Sequence, residues 1–160
     1  MRSFRTSFLS LAGSALVLAG LAPEATAQDA ELLSIAEPET ILEIAKGFGA
    51  AELTKDSADD PMLTGRVQGL KYLIYFYDCV GGENCKSLQF STGYTEPFTA
   101  EKANEWNAKY RWIKAYASDD GSNFKMDVGL DGGISKGNLE DYFATWDSLM
   151  FDLRTFMREG

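Results

Sequence analysis

The sequence predicts an α+β domain, an antiparallel sheet with helices packed on it. Three observations carry that reading. Strand-like runs follow one another through short polar or glycine-containing turns. Three other stretches repeat apolar residues at helical spacing. No strand leads into a glycine-rich phosphate loop, which argues against a parallel nucleotide-binding sheet.

Arg2 and Arg5 form a basic start, Phe8 to Ala22 is mostly apolar, and Pro23 ends the run. Ala25-Thr26-Ala27 has the small-x-small pattern read by signal peptidase. The expectation is a signal peptide over residues 1–27, cleaved after Ala27, and an exported protein, periplasmic or secreted. An uncleaved anchor is the alternative, although the apolar run falls short of the ~20 residues a membrane-spanning helix needs. After cleavage no segment is apolar enough for stable membrane insertion. Residues 28–37 read as a loose lead-in and residues 38–160 as one domain.

Pro38 suits a first helical position, Ile41, Leu42, Ala45 and Phe48 share a face, and Gly47 and Gly49 stop the helix. Ala51 to Lys55 and Met62 to Val67 read as strands about the polar turn 56–61. Leu70 to Tyr77 is rich in aromatic and branched residues on both faces, so a central strand covered on most sides is expected. Cys85 to Thr92 alternates and has one wet face. Thr99 caps a helix reaching about Lys109, with Ala103, Trp106 and Tyr110 on one side. Trp112 to Ala117 and Phe124 to Leu130 form a hairpin about 119–123, and Ser135 opens a last helix with a wide apolar face.

Composition narrows the chemistry. The 160 residues are 45% apolar and 24% charged, which suits a globular chain. Histidine is absent, so Ser-His-Asp and Cys-His pairs and imidazole metal ligands are excluded. Two cysteines cannot make a four-thiolate zinc site. Net charge is -9, and loss of the leader makes the remainder one unit more negative, so nucleic acid is not expected as a partner. No cofactor or metal is expected.

Cys79 and Cys85 flank a Gly-Gly loop, and in an oxidising compartment the expectation is a disulfide pinning a hairpin. A redox-active pair is the alternative, but the spacing is not C-x-x-C. Asp78, Asp127 and Asp131 lie near strand ends and are the candidates for carboxylate catalysis, set against solvated or capping roles. The stretches Asp119-x-Gly121-x-Asn123 and Asp56-x-x-Asp59-Asp60 faintly resemble calcium loops, but lack a full ligand set. Between Asn104 and Trp112, two asparagines bracket Trp106, and a cationic aromatic stretch follows. Asparagine is a poor helix former, so it needs a reason. Either the amides bond nearby backbone and Trp106 fills the core, or the helix end is a recognition patch.

The ordered set Tyr75-Phe76-Tyr77-Asp78, Cys85, Leu88-Gln89-Phe90, Asn104-x-Trp106-Asn107, Arg111, Ala115-Tyr116, Met126-Asp127-Val128, Gly132-Gly133-Ile134-Ser135, Asn138-Leu139 and Trp146 resembles the YbjN family. The resemblance spans about Pro38 to Phe156. Members are described as bacterial sensory-transduction regulators. The resemblance implies an α+β fold similar to type III secretion chaperones, a protein or peptide client and often a homodimer. It carries over no catalytic residue.

Overall fold

Successive alternating runs build one antiparallel sheet, and the helices supply its cover. The computed structural model describes residues 32–119 and 121–158. The signal peptide expected over 1–27, its cleavage after Ala27, and residues 28–31 of the lead-in lie outside the described residues. The elements are β1 (Leu32–Leu33), α1 (Pro38–Lys46), β2 (Ala50–Lys55), β3 (Pro61–Val67), β4 (Leu70–Tyr77), β5 (Ser87–Tyr94), α2 (Ala100–Lys109), β6 (Lys114–Ser118), β7 (Gly121–Gly129), β8 (Ile134–Ser135) and α3 (Lys136–Arg158). The main sheet has the order β2-β3-β4-β5-β7-β6, every neighbour antiparallel. This is the α+β fold the patterns predict.

Local chemistry sets the connections. Gln68 and Gly69 both have positive φ, which is what a two-residue hairpin turn between β3 and β4 requires. Cys79 and Cys85 are joined as a disulfide across the β4–β5 loop. Asp56 makes its turn with its own carboxylate, which accepts the N–H of Ala58 at 2.8 Å and of Asp60 at 3.1 Å. The Thr99 hydroxyl accepts the Lys102 N–H and caps α2.

One face of the sheet is the core. Register aligns Leu63, Ile74, Phe90 and Met126 in one row and Phe76, Leu88 and Val128 in another. Phe90 is central, with the rings of Phe143 and Trp146 from α3 at 4.9 and 5.4 Å. Gly65 leaves room for its cross-strand neighbour Tyr72, whose ring would lie 2.2 Å from a Cβ placed there. Burial pushes the Tyr72 phenol up to about 12.

Three expectations are corrected. The lead-in is pinned from Leu32 onward: Leu32 and Leu33 pair with Ser135 and Ile134, and buried Ala36 donates its N–H to the Cys85 carbonyl at 2.7 Å. Backbone groups beside a core need such partners. Second, β4 is central but covered on one face only. Tyr72, Ile74 and Phe76 are buried, while Leu73 and Tyr75 are half-buried and Tyr77 is exposed. Third, the β6–β7 loop ends sooner than expected, because Gly121 to Asn123 already belong to β7. Ser122 and Asn123 pair with Tyr94 and Gly93, and buried Ser122 donates to the Glu96 carbonyl while accepting the Phe98 N–H. A Cβ at Gly121 would lie 2.2 Å from the Tyr94 carbonyl oxygen.

Candidate functional site

The residues singled out from sequence fall into three places. Two tryptophans go to the core. Trp106 is fully buried, packs against Tyr110, Phe124 and Phe156, and donates its indole N–H to the Ile113 carbonyl at 2.9 Å. Trp146 is buried against Tyr72 and Phe90, and among the described residues its indole N–H has no partner. Gly132 and Gly133 turn the chain from β7 to β8 with positive φ, and a Cβ at Gly133 would lie 2.8 Å from Leu32.

The open face of the sheet holds Tyr116 and Asp127. Asp127 accepts from the Gln89 amide at 2.6 Å and lies 3.8 Å from the Lys114 ammonium. Lys125 stands 5.6 Å from the Tyr116 ring centroid. Its ammonium is held above its usual range, first by its hydrogen bond to Tyr116, against the opposing effect of burial. Asp78 accepts from the Ser87 hydroxyl, and Asp131 pairs with Lys86. Each of the three candidate catalytic carboxylates therefore has its own polar partner.

The third place is the junction of α2 and β6. Asn107 replaces a missing strand: its amide donates to the Ala115 carbonyl at 2.9 Å and its oxygen accepts the Ala115 N–H at 2.8 Å. Such bonding satisfies the outer edge of β6 at Ala115. Asn104 and Arg111 are exposed nearby. With Trp106 holding the Ile113 carbonyl and Asn107 holding Ala115, the short link between α2 and β6 is fixed at two points.

That link presents Trp112. Its φ is +74°, and the Ile113 N–H donates to the Arg111 carbonyl at 2.9 Å across it. A positive-φ γ-turn of this kind is rare and strained, and for a bulky aromatic residue it costs about 1–3 kcal/mol. The residue is nevertheless 58% exposed. Arg111 lies over it, 5.3 Å from guanidinium carbon to ring centroid. Tyr142 of α3 meets it at 86°, with ring centroids 6.2 Å apart.

Trp112 stands between two concavities on α3. The smaller, about 210 Å³, is lined by Trp112, Ile134, Asn138, Asp141, Tyr142 and Thr145. The larger is about 610 Å³ and adds Arg111, Ala144, Ser148 and Leu149 to the shared Trp112, Asp141 and Thr145. Sequence places Trp112 at the start of a strand and gives Asn138 only within the family resemblance, while Asp141 and Thr145 are not singled out by it. The strand expected from Trp112 begins instead at Lys114, which leaves Trp112 in the link between α2 and β6.

A sheet backed by helices on one face defines an α+β domain, and its candidate site is an aromatic side chain held outward beside a cleft. The YbjN family model, described as "Putative bacterial sensory transduction regulator", matches residues 37–159. The chain belongs to the YbjN family. Comparison with curated proteins returns no match.

Proposed function

We propose that this chain is an exported, non-enzymatic regulatory domain that binds a protein or peptide through the cleft beside Trp112. The observation that carries the reading is Trp112 itself. It combines a strained backbone with an exposed indole, two costs that its contacts with Arg111 and Tyr142 do not explain. Strain retained beside a cleft is the mark of a functional position. The Asn-x-Trp-Asn motif then has a positioning role, since Trp106 and Asn107 fix the residues that follow the turn.

Export is supported by the basic and apolar leader, by Ala25-Thr26-Ala27 and by the Cys79–Cys85 disulfide. Among the described residues no helix is long and apolar enough to cross a membrane. Family membership supports a regulatory role. The likeness to type III secretion chaperones implied by the family belongs to the same reading, with a client protein as cargo. A second copy of the chain is the alternative occupant.

The test is crosslinking in living cells with a photoreactive side chain substituted for Ser148. The expected result is a discrete protein adduct that disappears with Trp112→Ala. Adduct mass separates a foreign partner from a homodimer. No adduct, or the same adduct with Trp112→Ala, contradicts the proposal.

A further inference from the structure

The smaller cleft has a definite chemical character. Two aromatic rings set at 86° form a corner, and Asp141 lines the same space. Among the described residues the Asp141 carboxylate has no ion-pair partner, and the side chains of Asn138 and Thr145 accept no hydrogen bond. The cleft therefore offers ring faces and unfilled oxygen acceptors. Arg111 is over the indole but lines only the larger concavity, so among the described residues no cationic side chain lines the smaller one. The whole chain is strongly acidic, at -9, which draws cations toward it.

We propose that this cleft receives the side chain of a lysine or arginine from a partner protein. Its cationic head rests against Trp112 and Tyr142 and donates hydrogen bonds to Asp141, with Asn138 and Thr145 as further acceptors. The inference rests on the protein-binding reading and adds the partner's chemistry. Aromatic faces attract cations through their ring quadrupole, most strongly at tryptophan. The carboxylate supplies directed acceptors that an apolar guest cannot use. An aliphatic or aromatic guest would leave Asp141 partly desolvated and unpaired, which disfavours it.

The test is NMR of the full chain labelled at its tryptophan indoles. Buried Trp106 and Trp146 act as internal references. The probes are the peptide acetyl-Gly-Lys-Gly-amide and the same peptide with its lysine acetylated. The lysine peptide is expected to shift the Trp112 indole resonance saturably, with a dissociation constant on the order of millimolar, while the acetylated peptide does not. Asp141→Asn is expected to weaken the lysine peptide about fivefold, as befits one partly exposed ion pair. Equal shifts from both peptides, unchanged affinity in Asp141→Asn, or a silent Trp112 resonance overturns the inference. A Trp112-dependent adduct in cells with a silent lysine titration overturns this inference alone. A saturable titration with no adduct overturns the protein-binding reading and, with it, the partner assigned here.

Discussion

At the residue scale the three tryptophans divide the work. Trp106 and Trp146 are equally buried, yet among the described residues only the Trp106 indole N–H has a partner. Replacing Trp106 with Phe strands the Ile113 carbonyl in a buried place, a loss of about 1–3 kcal/mol before any packing change. Replacing Trp146 with Phe strands nothing, so its loss is the packing cost alone and is expected to be smaller than at Trp106 by about 1–3 kcal/mol. Urea unfolding of the two variants measures the difference. Equal losses would mean that the Ile113 bond contributes nothing. Trp112 contrasts with both, because its backbone angle and exposure work against folding. Sequence marked Trp106 well, since flanking asparagines on a helix are unusual. Trp112 was less legible, because strain is a property of a dihedral angle that composition does not reveal.

At the element scale the outer strand β6 has part of its free edge held by a side chain. β6 is closed by Asn107, whose amide makes both bonds a neighbouring strand would make at Ala115. Asn107→Ala removes both and should cost about 2 kcal/mol, with faster amide hydrogen exchange at Ala115. Unchanged exchange there would show that the clamp does not hold the edge. Periodicity made α1, α3 and β7 readable, because each repeats its apolar residues over several turns or alternations. The short β1–β8 pair was not readable, since two residues carry no period. Gly121, Ser122 and Asn123 look like turn residues, and tertiary contacts with Tyr94, Glu96 and Phe98 draw them into a strand. The outer face of β4 misled for a different reason: Leu73, Tyr75 and Tyr77 have core-like chemistry but lie on the open face.

At the scale of the whole molecule the helices share one task and the α2–β6 link another. The helices cover one sheet face, and α3 also forms the floor of the cleft beneath Trp112. The cleft joins residues about thirty positions apart, Trp112 and Asn138 to Thr145, so no local sequence window contains it. Trp112 is held outward at a cost that folding does not recover. Urea unfolding of Trp112→Gly tests it most directly, since glycine accepts a φ of +74° without strain. Relief of strain offsets the lost ring contacts, and the predicted unfolding free energy stays within about 1 kcal/mol of the parent or rises above it. A loss above about 2 kcal/mol would contradict the account, because a change that large at an exposed site marks a structural role.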